Sequence, residues 1–140
     1  MAEDIDNLRL NADGGDMQAQ FALACAYDRG EGVSQNVRSA AKYFRMAAET
    51  GHVEAKAVMA RLSFLGKGVA QDSADAAEWL KQAAEGGHAE SQFNLGEMYA
   101  FGRVFTADGE QASLWYGRAA AQGYAAAAER LQEIDAEKSQ

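Results

Sequence analysis

Glycine recurs in this chain at Gly15, Gly51, Gly87 and Gly123, each 36 residues after the last. A step that holds three times without insertion or deletion forces every unit into one geometry against its neighbour, which is the sequence mark of a stacked repeat array. Ala12, Ala48, Ala84 and Ala120 keep the same step, as do Gly30, Gly66 and Gly102 and the pair Gly32 and Gly68. The 140 residues hold three units and a fraction in a single domain spanning 1–140. The units run over about residues 12–47, 48–83 and 84–119, with a remainder over about 120–137.

Within a unit the apolar residues follow two helical patterns. A first helix carries Ala19, Leu23, Ala26 and Tyr27, repeated as Ala55, Met59, Leu62 and Ser63, then as Ser91, Leu95, Met98 and Tyr99. Those offsets place one face inward. A second helix carries Ala40, Tyr43, Phe44, Ala47 and Ala48, repeated as Ala76, Trp79, Leu80, Ala83 and Ala84, then as Ala112, Trp115, Tyr116, Ala119 and Ala120. The chain has no proline to break either hydrogen-bond ladder, and its many alanines give up no side-chain entropy on helix formation.

The ends of these helices are marked too. Asn36, Asp72 and Asp108 stand where the second helices open, each able to accept a hydrogen bond from a first-turn N–H, and Gln111 follows Asp108 at capping-box spacing. The periodic glycines supply the left-handed residue that closes a helix without a Cβ penalty. Ala24, Ala60 and Gly96, one per first helix, let the two helices of a unit approach closely. Ile5, Leu8 and Ala12 align with Ala41, Phe44 and Ala48, so residues near Asp4 to Ala12 read as a partial second helix. Ala127, Leu131 and Ile134 repeat the first-helix pattern, with Gln132 and Asp135 giving that last helix a polar face, so that both ends are expected to be capped.

The motif Ala-x-Phe-x-Leu-Ala-x-x-Tyr-x-x-Gly-x-Gly-Val, as Ala19 to Val33 stand, is followed by Asn or Asp and an aromatic-rich Ala-Ala helix ending in Gly. It resembles the Sel-one-like repeat (SLR) family, a branch of the tetratricopeptide-like helical solenoids. Phe93-Asn94-Leu95-Gly96 and Trp115-Tyr116-Gly117-Arg118-Ala119-Ala120 match best, and the resemblance covers residues 12 to 134. It implies an all-α fold: a right-handed α/α superhelical solenoid of three 36-residue helix–turn–helix repeats with a C-terminal capping helix. It also implies a scaffold for protein–protein interaction, often in bacterial regulation, secretion or envelope pathways.

One turn departs from the pattern. Gly102-Arg103-Val104-Phe105 stands where the other units have Gly30-Glu31-Gly32-Val33 and Gly66-Lys67-Gly68-Val69. If the second glycine holds a positive φ, a β-branched valine is strained there, so the third turn is expected to be re-routed, with exposure of Phe105 as the functional alternative.

Charge and residue usage narrow the function. A formal charge of −8 with basic residues scattered singly removes the electrostatic term of nucleic-acid binding. No apolar run approaches the roughly 20 residues of a membrane span. The acidic start, with Glu3, Asp4 and Asp6, is unlike an export signal, and together with the single cysteine it reads as cytoplasmic, provided Met1 is the native start. His52 and His88 occupy equivalent positions in adjacent units, too far apart to share a metal; each follows a helix-ending glycine, where it can favour the negative helix end or bond the loop. Cys25 has no histidine at its level to act as a base. No cofactor, no metal and no enzymatic activity are expected.

Binding is the better-founded function. By analogy with tetratricopeptide solenoids, the first helices present a concave face on which Arg29, Arg61, Phe64, Leu65, Glu97 and Phe101 would meet a partner. Arg61 and Glu97 also read as a solvated ion pair, and Phe21 and Phe93 as packing residues. The sequence thus points to a monomeric, non-enzymatic adaptor for a protein or peptide partner, with basic residues on that partner favoured by the chain's charge. A cytoplasmic immunity or antitoxin-like inhibitor of one folded protein is an alternative. A β-lactam-type hydrolase, as in cysteine-rich relatives that the resemblance brings in, is a further one that a lone Cys25 does not support.

Overall fold

A computed structural model describes residues 4–139, and among them eight α-helices and no strand. These are α1 (Ile5–Asp13), α2 (Met17–Arg29), α3 (Val37–Thr50), α4 (Val53–Leu65), α5 (Ser73–Glu85), α6 (Ala89–Phe101), α7 (Gly109–Ala121) and α8 (Ala125–Lys138). The chain forms two compact units that divide inside α5, between Trp79 and Leu80. No helix among the described residues is long and apolar enough to cross a membrane.

In the first unit each of α1 to α4 packs on its chain neighbour. The stripe read from the sequence is the buried one: Leu23, Ala24, Ala40, Tyr43, Phe44, Ala47 and Ala48 are all buried. Phe21 meets Phe44 edge-on at 5.6 Å, the packing role expected of it. Tyr27 stacks on Tyr43 at 5.9 Å and accepts a 2.9 Å hydrogen bond from Arg9 Nη2, tying α1 to the α2–α3 pair. Gln20 is buried, and its side chain donates to the Ala12 carbonyl at 3.0 Å while accepting from the Thr50 hydroxyl. A buried amide satisfied on both sides costs little and fixes three helix ends together. Trp79, at the division, is buried with its indole Nε1 unpaired.

The second unit repeats these devices. Gln92, two periods after Gln20, donates to the Ala84 carbonyl at 3.1 Å and accepts from Gln122 at 2.9 Å. Gly96 is small because it must be: a methyl there would come within 2.8 Å of the Tyr116 ring. Phe93 packs against Tyr116 and Tyr124, with ring centroids 5.8 and 5.1 Å away. Trp115 is buried under the Arg118 guanidinium at 4.5 Å. In α8 Ala127 is buried, Leu131 and Ile134 are half-buried, and Gln132 and Asp135 face solvent, as a polar-faced cap requires.

Three local expectations need correction. Asn36, Asp72 and Asp108 cap their helices as read, but the capping box at Gln111 closes only halfway. The Asp108 N–H is already donated to the Tyr99 carbonyl at 2.9 Å, which leaves nothing for Gln111 to accept. His52 and His88 serve the following helix rather than the preceding one. Each is an N-cap, with Nδ1 accepting from Ala55 N at 3.1 Å and from Ser91 N at 3.2 Å, where α2 uses Asp16. The third turn is not re-routed away from the left-handed region: Val104 takes φ +63°, beside +76° at Gly32 and +75° at Gly68. It pinches locally instead, Phe105 N donating to Arg103 O at 2.6 Å across a γ-turn centred on the valine. Phe105 is not thrown out, but stacks on Tyr99 at 4.9 Å.

Candidate partner-binding surface

The residues singled out for binding fall in two sets, one in each unit. In the first unit, Arg29 and Leu65 are the last residues of α2 and α4, each followed by a left-handed glycine that turns the chain away and leaves the helix end uncovered. Leu65 is 65% exposed. Phe64 beside it is half-buried, its carbonyl accepting from the Gln71 side chain at 2.8 Å, and Arg61 lies one turn earlier, exposed. Gln35 makes the same 2.8 Å bond to the Asp28 carbonyl, so these turns are clipped twice in register. Lys67 approaches Asp28 at 3.9 Å.

In the second unit, Phe101 stands at the register of Leu65 and is 58% exposed. Its ring lies 5.7 Å from the Arg103 guanidinium and 6.0 Å from that of Arg130, each within reach of cation–π attraction. Glu97 is not left to a solvated pair with Arg61. Its carboxylate accepts a short hydrogen bond from the Tyr116 hydroxyl and three from Arg130, the closest from Nη2 at 3.0 Å, while Arg130 also reaches Glu133 at 3.2 Å. Burial and the bond to Glu97 push the Tyr116 phenol well above its ordinary range, and the two carboxylates hold the Arg130 guanidinium charged. Sequence reasoning missed Arg130. The signal available was its spacing of 33 from Glu97, an i−3 pair displaced by one period.

Cys25 is half-buried, and burial, with Asp28, Glu54 and Glu31 nearby, pushes its thiol up against the opposing pull of Arg29.

The Sel1 repeat profile matches three times, over residues 18–52, 53–88 and 89–124. The chain belongs to the Sel1 repeat family. Its fold is therefore that of the SLR proteins, an all-α solenoid of helix–turn–helix repeats. A crystal structure of a Sel1 repeat protein from Oxalobacter formigenes is 39% identical, with a TM-score of 0.85 over 91% of this chain and 96% of that one. A protective antigen of uropathogenic Escherichia coli displaying an SLR fold is 34% identical, with a TM-score of 0.79 over 87% of this chain but only 26% of its own length. Helicobacter pylori cysteine rich protein B, 20% identical with a TM-score of 0.59 over 62% of this chain and 65% of that one, shares the fold alone. No curated protein matches the chain. Sel1 repeat proteins are generally protein-interaction scaffolds, and the fold is typically non-catalytic.

Proposed function

We propose that this chain is a non-enzymatic interaction scaffold that takes a protein partner on the C-terminal ends of its first helices, with Leu65 as the apolar anchor beside Arg29, Arg61 and Phe64 in one unit and Phe101 beside Glu97 in the other. The observation that carries this reading is the recurrence of a large exposed apolar side chain at one register, 65% exposed in one unit and 58% in the other. A single exposed apolar side chain is ordinary on a protein surface, so it is the recurrence at one register beside arginine that supports the reading, arginine and aromatic residues being common among the few side chains that dominate an interface. The charge of −8 favours a partner that brings basic residues.

The test is site-specific photocrosslinking in an extract of the native cell, with the reactive residue placed at 65, at 101, or at the control position of Leu10, which is 72% exposed on α1. One protein captured from 65 and 101 but not from 10 is expected. Equal labelling from all three positions, or none from 65 and 101, rejects the assignment.

A further inference from the structure

A groove of about 1060 Å3 opens in the second unit between the end of α6, the first turns of α7 and the C-terminal half of α8. Gly109 and Ser113 line it from α7, Phe101 from α6 and Ile134 from α8. The equivalent place in the first unit is filled. There the Gly66–Val69 turn lies on the start of α3, so close that a Cβ on Gly68 would strike the Val37 carbonyl and come within 3.1 Å of the Ala41 Cβ. A Cβ on Gly32 would come within 3.1 Å of the Ile5 side chain. Ile5, Ala41 and Ser113 share one register position, and Gly109 stands two periods after Val37. The groove is thus the repeat's own turn-seat, presented once more at α7.

The described chain does not fill it. Lys138, at the register of the left-handed Gly30, Gly66 and Gly102, is still helical, and Ser139 follows with φ −80°. The lining is acidic on balance, with Asp108, Glu110, Glu133 and Glu137 against Arg130 and Lys138, and Arg130 is already held by Glu97 and Glu133. The first-unit turn that fills the corresponding seat carries a basic residue, Lys67, which reaches Asp28.

We propose that this groove is a docking site for a glycine-containing, basic turn of a protein partner, seated on Gly109 and Ser113 as Gly66–Val69 is seated on Val37 and Ala41. The proposal rests on the scaffold reading and adds the chemistry of what is bound. Glycine is favoured because at the α3 seat a Cβ on Gly68 would strike the Val37 carbonyl, and the one turn with valine at that register, at Val104, holds it in a strained left-handed φ. A basic side chain is favoured by the acidic rim.

The probe is a fluorescent peptide of the chain's own turn, Phe-Leu-Gly-Lys-Gly-Val-Ala-Gln, cyclised to hold the turn and so reduce the entropy lost on binding. Fluorescence polarisation with the full chain should show saturable binding that falls at least tenfold when the second glycine of the peptide is replaced by valine. It should fall several-fold when its lysine is replaced by glutamate. Ser113→Trp, which fills the groove, should abolish it; Gly109→Phe, whose Cβ meets no atom within 4 Å, provides a second block should Ser113→Trp melt early. No saturable binding, or binding indifferent to both blocks and to the valine peptide, overturns the proposal. Concentration-dependent self-association that the blocks abolish would put a second copy in the groove and also overturn it. Because neither block touches Leu65, crosslinking from position 65 that persists when the peptide fails rejects the turn-seat alone, whereas loss of both rejects the scaffold reading as well.

Discussion

Val104 is the residue at which the repeat departs from its own rule. The left-handed φ that two glycines adopt freely is imposed on a β-branched side chain, a conformation that costs on the order of 1–3 kcal/mol. The turn also lacks its clip: Ala107 occupies the position of Gln35 and Gln71, so no side-chain amide bonds the α6 end there. The valine side chain is 51% exposed and recovers little by packing. Val104→Gly relieves the strain and gives back part of it in unfolded-chain entropy, for a net gain of about 1 kcal/mol and a rise in melting temperature of about 3 °C. A fall on differential scanning calorimetry would show that the turn depends on its valine. The composition of this turn was legible in the sequence; its φ was not, because the neighbours that hold it are set by the fold and not by the four residues themselves.

At the scale of helices, the stripes, the caps at Asn36, Asp72 and Asp108 and the small residues facing a partner helix could all be read from spacing, since each depends on contacts within one period. The two histidines could not be assigned by spacing alone, because a residue between two helices belongs to whichever terminus its side chain reaches. They cap α4 and α6 through Nδ1, and His88→Ala should lower stability by about 1 kcal/mol, with His88→Asp restoring it as Asp16 does for α2. Urea titration of the three proteins would measure both changes. The Tyr116–Glu97–Arg130 cluster joins α6, α7 and α8, and its phenol is held neutral above the ordinary tyrosine range. A group that binds its proton more tightly when folded gives stability that is complete below the unfolded value, near pH 10, and is lost as pH rises beyond it. Tyr116→Phe should therefore be the less stable protein at pH 7, by about 1–2 kcal/mol, and should lose less on going from pH 9 to pH 11 than the wild type does. Parallel thermal melts across that range would check the sign.

For the whole molecule, the polar residues on the first and last helices, α1 and α8, matter most. Asn7 and Asn11 of α1 stand at the register of Tyr43 and Ala47, and Gln132 and Asp135 of α8 at that of Gly96 and Tyr99. Exposed amides and carboxylates at positions that are apolar inside the array deny a second copy a dry surface to stack on. The chain is expected to sediment as a monomer, and Asn7→Tyr with Asn11→Ala should give association that grows with concentration. Sedimentation velocity at several loadings distinguishes these. This end chemistry was visible in the sequence through Gln132 and Asp135. The groove beside α8 was not, since it arises from a helix that runs on where its counterparts turn. Finally, the chain carries two tryptophans in unlike surroundings: Trp115 lies beneath a guanidinium in the second unit, while Trp79, where the units divide, has an indole N–H with no partner. Each is therefore an intrinsic optical reporter of its own surroundings. Two single-tryptophan proteins, Trp79→Phe and Trp115→Phe, would show whether emission from the division and emission from the second unit change in one cooperative transition or in two.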